Sequence, residues 1–565
     1  MARTVGIGHQ SFERLITRNL FYIDKTMFIK EWWENDDIVT LITRPRRFGK
    51  TLNLSMLENF FSVKYADRRD LFQNLAVWED EKYRSLQGTY PVIFLSFAEV
   101  KETSFLSTRE KICQIIKNVY NTFDFLLDGD YLNEDEKKSY REISVDMKDY
   151  LASGSLKALS DYLTRYYGKK SIILLDEYDT PMQEAYVGGY WDELISFMRN
   201  LFNSTFKTNP FLEKALMTGI TRISKESVFS DLNNLEVVTT ISEKYMDSFG
   251  FTQKEVWDAL KEYGLYEERE RVRYWYDGFT FGRSTDIYNP WSIINYLDKH
   301  AFSTYWANTS SNSLIGKLIR EGSVDIKITM EDLLAKKTLH AQMDEQVVFS
   351  QLDSNENAVW SLLLASGYLR VKRYGLNKRG YPEYELALTN REVCITFEKM
   401  IDGWFKDFTS AYSTFVKALL LGDIDAMNTY MNRVASATFS YFDTGKNPSA
   451  ETEPERFYHG FVLGMMVDLE DRYRITSNRE SGFGRYDVVL EPLRASDDAI
   501  IIEFKVCDPA HKKTLEDTAA EALEQIDRMN YAAGLAAGGI TPERIRKYGF
   551  AFQGKKVLIE KGFES

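Results

Sequence analysis

Cysteine is nearly absent: three in 565 residues, Cys113, Cys394 and Cys507, far apart and without a CxxC pair. That excludes a disulfide framework and a thiolate zinc site as organising elements. Histidine is scarce too. The five, at positions 9, 300, 340, 459 and 511, fall at no metal-ligand spacing, and no Ser/His/Asp or Cys/His arrangement can be read. Only His459 lies near the chemistry considered below, and a satisfied structural histidine is the plainer reading of it. No apolar run approaches the roughly 18 residues of a membrane helix. The N-terminal MARTVGIGHQSFERL has no long apolar segment after its charge, which reads against a secretory signal. Positive charge is in deficit: a net charge of −13 excludes a protein that coats nucleic acid non-specifically, so any such contact needs a local basic surface. No internal repeat or low-complexity tract is found. The expected setting is a reducing cytoplasm, with no membrane partner.

Apolar residues make up 44% and aromatics 14%, enough for several cores in a chain too long for one. Short β-branched or apolar runs stand at 38–43 (IVTLIT), 91–97 (PVIFLSF), 171–179 (SIILLDEYD) and 215–221 (ALMTGIT). Helical periodicity fills the stretches between, as at 52–61 and 105–127. Alternation of this kind predicts an α/β domain with a mainly parallel sheet. From about residue 225 the pattern turns helical. FTQKEVWDALKEYG, 251–264, carries a capping box of Thr252 and Glu255. Residues 367–388 predict a hairpin whose turn holds Asn377, Lys378, Arg379 and Gly380. Its cations, Lys372 and Arg373 included, suit either a phosphate grip or a solvated turn. Trp275, Tyr276 and Trp291 read as core. A linker is expected at 443–455, before a compact α+β segment. The expected domains are 1–228, 229–325, 326–445 and 451–565.

The stretch LITRPRRFGKT, 41–51, joins a strand to a helix through Gly49-Lys50-Thr51. Phosphate loops work because backbone N–H groups and a helix N-terminus face the phosphates, Lys adds charge and Thr holds magnesium. The first glycine of that motif is missing, however, and Arg44 stands in its place. A basic turn at a helix start fits the tripeptide equally well. In LLDEYD, four apolar residues deliver Asp176 and Glu177 to a strand end. There Asp176 can hold Mg²⁺ and Glu177 can polarise an attacking water. A strand running into an acidic loop is the plainer alternative, but both features in this order suit one NTPase domain. LMTGITR adds Thr218 or Thr221 as a γ-phosphate sensor, with Arg222 as charge stabiliser.

Near the C-terminus, SNRESGFGRYDVVLEPLRASDDAIIIEFKV, 477–506, holds two apolar strands around a polar turn. Folded as a hairpin near residues 495–496, it sets Asp487 opposite the Glu503–Lys505 region. Glu503 and Lys505, two apart, share one strand face. Two carboxylates can share Mg²⁺ for phosphodiester chemistry, with Lys505 positioning or activating the nucleophile. An upstream helix begins at Glu455, a further candidate acid. Gln525 and Tyr531, on a downstream helix, could touch substrate. Solvated strand-end carboxylates remain the plainer alternative.

The segments LFYIDKTMFIKEWW, LITRPRRFGKTLNLSMLENFF, LLDEYDTPM and MTGITRIS resemble the AAA-ATPase-like domain of a bacterial family whose members usually end in a PD-(D/E)xK nuclease domain. The likeness continues through FGFTQKEV, YWYDGFTFG, YNPWSIINYL and YWANTSSN and resumes at SNRESGFGRYD and IIIEFK, so it covers most of the chain. Arg-Pro-Arg-Arg-Phe-Gly-Lys is this family's usual loop. The resemblance implies a P-loop-type parallel sheet, a helical, winged-helix-like middle and a restriction-endonuclease-like C-terminal domain. It implies that ATP lies on Arg47, Phe48, Gly49, Lys50, Thr51 and Leu52, with Thr218 and Arg222 near its γ-phosphate. Mg²⁺ would sit on Thr51 and Asp176, and Glu177 would activate water. Asp487, Glu503 and Lys505 take the nuclease positions, with Glu455 as first-helix acid and metal ligand. Two departures stand out: Gly484 and Arg485 replace the usual Pro before Asp487, and Thr389 stands where relatives often have Pro. Arg44, Arg46 and Arg47 could replace lost loop amides or face a partner. The reading is an ATP-driven, Mg²⁺-dependent nuclease acting on DNA or RNA, in defence or genome maintenance. Its rival is a nucleotide-dependent switch or scaffold that binds nucleic acid without cutting. A homo-oligomer stays open.

Overall fold

The computed structural model describes residues 2–222, 228–229, 232–306, 336–342, 356–377, 380–406, 409–438, 472–477, 488–494, 497–507, 514–529, 531–553 and 556–562, with parts of 315–334 and 462–485. It divides into two compact units: Met1–Ile315 with Lys336–Thr396, and Gly316–Ala335 with Phe397–Ser565.

The first unit is built on five strands: β1 (Val39–Thr43), β2 (Val92–Ser96), β3 (Ser171–Asp176), β4 (Leu212–Gly219) and β5 (Leu235–Val238). Their order is β2-β3-β4-β1-β5, and every neighbouring pair is parallel. All residues of β1 and β3 are buried, which explains why these runs are continuously apolar rather than alternating. Helix α1 (Lys50–Phe61) leaves β1 through the arginine-rich loop and buries Leu54, Met56, Leu57, Phe60 and Phe61 in the core around Trp32. Because β4 separates β1 from β3, the loop after β1 and the acids after β3 rise on either side of Thr218, at the carboxyl edge of the sheet. Ligand sites of open parallel sheets form there.

Beyond β5, α2 (Gln253–Glu262) starts at the expected capping box of Thr252 and Glu255. Helices dominate this stretch as periodicity suggests. Periodicity does not show a three-stranded antiparallel sheet among them, made of β6 (Phe251–Thr252), β7 (Phe279–Phe281) and β8 (Ser284–Tyr288). These strands are too short for a period, and Gly278 (φ 119°) and Gly282 (φ 54°) turn the chain around β7. Helix α3 (Pro290–Lys299) follows, capped by Asn289. A second antiparallel sheet joins β9 (Leu339–Ala341) to the predicted hairpin of β10 (Leu369–Leu376) and β11 (Pro382–Leu388). Lys378 and Arg379 lie outside the described residues. Helix α4 (Arg391–Lys406) comes next. Thr389, just before it, donates its hydroxyl to the Gly367 carbonyl at 2.8 Å, a bond that Pro could not make.

The second unit holds a sheet of β12 (Tyr473–Ser477), β13 (Val488–Pro492), β14 (Ala499–Val506), β15 (Ile545–Gln553) and β16 (Lys556–Lys561) in that order. Only β14 and β15 run parallel. Alternation along β14 sends Ile500, Ile502 and Phe504 into one core and Ala499 and Ile501 into another, which includes Ile526 of α5 (Leu515–Arg528). The expected linker at 443–455 lies outside the described residues. Among the described residues no helix is long and apolar enough to cross a membrane.

Candidate functional site

The loop between β1 and α1 turns on two left-handed residues, Arg47 (φ 65°) and Gly49 (φ 83°). Gly49 caps α1, and a Cβ there would meet nothing within 4 Å, so the space beside Gly49 is open. Lys50 folds back and donates to the carbonyls of Arg44 and Pro45, both at 2.9 Å, and is only 5% exposed. Burial lowers its pKa, against the pull of Glu177, Asp176 and Asp179.

Facing the loop, Asp176 accepts hydrogen bonds from Thr51 Oγ1 and from Thr218 Oγ1, each at 2.7 Å. Burial raises its pKa and these two hydroxyls oppose the rise. Glu177 follows in a left-handed conformation (φ 50°), which is costly for a residue with a side chain, and accepts from Thr180 Oγ1 at 3.2 Å. One cavity of about 390 Å³ is lined by Arg47, Phe48, Gly49, Lys50, Thr51, Leu52 and Glu177. Its other walls include Val5, His9, Phe21, Ile23, Phe251 and Trp291. Asp176 and Thr218 adjoin it through Thr51. Arg222, half-buried, is not among the lining residues.

Asp179 was missed by the sequence reading. Buried, its Oδ2 accepts from the backbone N–H of Ile220 and Thr221 and from Thr221 Oγ1 at 2.8 Å, so it fixes the turn after β4 and occupies Thr221. The second aspartate of Asp-Glu-Tyr-Asp is its only sequence signal.

The arginines divide the labour. Arg44 neither replaces loop amides nor faces a partner. It is fully buried, donates to the carbonyls of Thr43 and Thr239 (2.9 and 2.7 Å), and lies over Phe281 at 4.6 Å. Burial lowers its pKa, while the carbonyl dipoles and the ring face favour the cation. Arg47 stacks over Trp291 at 4.3 Å. Trp291 is therefore a cavity wall rather than core, whereas Tyr276 is fully buried and Trp275 packs against Phe302, as expected. Phe48 meets Phe279 and Phe281 edge-on.

In the second unit, β13 and β14 pair with Val488 opposite Ile502 and Leu490 opposite Ile500. That is the predicted hairpin in register. Asp487, Glu455 and His459 lie outside the described residues, as do residues 495–496 at the turn. Glu503 is 1% exposed and accepts a hydrogen bond from Gln525 Nε2 of α5. Gln525 also reaches the Tyr531 hydroxyl at 3.5 Å. Lys505, half-buried, shares the strand face of Glu503. Among the described residues no group of three or more His, Cys, Asp or Glu could hold a metal.

Comparison with known proteins follows this division. Residues 6–229 match the family described as predicted AAA-ATPase, and residues 453–562 match the PD-(D/E)XK nuclease superfamily. Over 551 residues the chain is 25% identical to "Uncharacterized protein in vnfD 5'region" of Azotobacter chroococcum mcd 1, with 94% of each chain covered. The loop, the acids and strands β1 to β4 of the parallel sheet fall in the first match, and the paired strands with Glu503 and Lys505 in the second. The chain carries an AAA-ATPase-like domain followed by a domain of the PD-(D/E)XK nuclease superfamily.

Proposed function

We propose that the first unit binds and hydrolyses ATP in its cavity, and that the C-terminal domain cuts DNA or RNA in a nucleotide-dependent way. The observation that carries this reading is the single cavity joining the Gly49-Lys50-Thr51 loop to Glu177, with Asp176 bonded to Thr51 beside it. The open space beside Gly49 and the hard oxygens of Thr51 and Asp176 suit a triphosphate with magnesium. When bound, magnesium neutralises charge on the phosphate oxygens. Lys50 and Arg47 supply positive charge to the same oxygens, the N-terminus of α1 adds its dipole, and Glu177 takes a proton from the attacking water. Thr218 would sense the γ-phosphate through Asp176, to which its hydroxyl is bonded, whereas Arg222, outside the cavity lining, would have to move to reach it.

In the C-terminal domain Asp487 and Glu503, with Glu455, would hold the metal, and Lys505 would position the nucleophile beside it. One observation favours a second reading, a switch or scaffold with a non-cleaving nuclease-like domain: Glu503 is buried and already bonded to Gln525. A cleavage screen over single- and double-stranded DNA and RNA, with Mg²⁺ or Mn²⁺, with and without ATP, separates the two. Cutting by wild type, lost in Glu503→Gln and Lys505→Ala, supports the nuclease. No cutting under any condition by a protein that binds ATP supports the scaffold.

A further inference from the structure

We infer that Glu392 is the positioning residue of the arginine-rich loop and couples nucleotide occupancy to helix α4. The inference rests on reading the cavity as an ATP site. The Arg46 carbonyl, one residue before left-handed Arg47, accepts two side-chain hydrogen bonds, from Asn289 Nδ2 at 3.2 Å and from Trp306 Nε1 at 3.0 Å. Both donors trace back to one carboxylate. Glu392 Oε1 accepts from the backbone N–H of Trp306 at 2.6 Å, and Oε2 accepts from Ser292 Oγ at 2.8 Å. Ser292 shares the first turn of α3 with the cap residue Asn289, whose Oδ1 accepts from the Trp291 and Ser292 N–H groups.

Glu392 is 1% exposed. Placing a carboxylate there is costly unless its oxygens are well bonded, so the network has a defined geometry rather than a solvated one. Fixing the Arg46 carbonyl fixes the following peptide. That peptide sets the direction of Arg47, and the same loop supplies the carbonyls that seat Lys50. Trp291, over which Arg47 stacks, stands on the turn that Glu392 holds through Ser292. The carboxylate sits in the first turn of α4 (Arg391–Lys406), an element assigned to the first unit through Thr396 and to the second from Phe397. A ligand that stabilises the loop must therefore stabilise the start of α4, and the reverse coupling has equal magnitude.

The test uses full-length protein, a fluorescent ATP analogue with Mg²⁺, and hydrogen exchange over 391–396. Wild type is expected to bind the analogue and to gain protection at 391–396 on binding. Glu392→Ala and Trp306→Phe should each weaken binding roughly tenfold, as expected for loss of one buried charge-assisted or indole hydrogen bond. The double variant should fall short of the product, because both substitutions break one network. The protection gain should also disappear in both. Trp306→Phe keeps the ring against Phe279 and Tyr368 and decides the matter if Glu392→Ala fails to fold. If wild type binds, and the folded variants bind within about twofold of it with protection unchanged, the inference is overturned and the ATP site stands. If wild type binds no nucleotide, the reading beneath it fails and takes the inference with it.

Discussion

Glu177 combines three properties of a reacting carboxylate: it follows the strand that carries Asp176, it lines the cavity, and it is held at φ 50°. A strained backbone at such a place is maintained by its surroundings, here the turn into the helix beginning at Thr180. Glu177→Gln keeps the shape and removes the proposed base. It should bind ATP as wild type does while phosphate release falls at least about 100-fold. A different carboxyl makes stability depend on pH. Burial, then the neighbouring Asp286, raises the pKa of Asp277 to about 7, while Arg273 and the Gly278 N–H oppose the rise. In the unfolded chain it titrates near about 4. Between these values the native state keeps a proton that the unfolded state has lost. Stability therefore falls as pH rises through that window, and the loss is complete above it. Asp277→Asn should flatten this decline and raise the melting temperature at about pH 8 more than at about pH 5, checked by thermal unfolding at both.

Among the elements, the loop after β1 is a structural junction as well as the proposed phosphate cradle. Arg44 ties it to the carbonyl of Thr239 and to the ring of Phe281, and Phe48 packs on the same small sheet. Arg44→Met should cost roughly 2–4 kcal/mol in denaturant unfolding, because it leaves buried carbonyls without a donor. Arg44→Lys should not restore it, since one ammonium cannot reproduce a planar fork stacked on a ring. The sequence showed the strands at 39–43, 92–96 and 171–176, and β4 from Ala215 on, because these stretches are largely buried and largely apolar; Glu213 and Lys214 hide the start of β4. It did not show β5, four residues long and only half-buried over most of them, or β7 and β8, whose geometry depends on glycines rather than on a period. The role of Arg44 was equally illegible. An arginine beside two others reads as surface charge, and only the fold brings carbonyls and a phenylalanine around it.

For the whole molecule, the order of the two domains in one chain was legible, because each carries a motif on or beside a strand: Gly-Lys-Thr after β1, Asp-Glu at the end of β3, Glu-x-Lys within β14. What lay beyond reading was distributed support. Asp179, Trp291 and Glu392 are far apart in sequence, and none belongs to a motif with its own chemistry, yet two line or shape the loop and the third fixes the turn beside Asp176. With a net charge of −13, the nucleic acid of the proposed reaction would have to be held locally. Cleavage should therefore weaken steeply with added salt, which a titration from about 50 to about 200 mM would read. The central claim is that the cavity hydrolyses ATP, and steady-state phosphate release by the purified full-length protein with Mg²⁺ tests it most directly. The account predicts turnover by wild type that Lys50→Ala abolishes. Turnover that survives in Lys50→Ala, or a wild type that binds ATP and releases no phosphate, would contradict it.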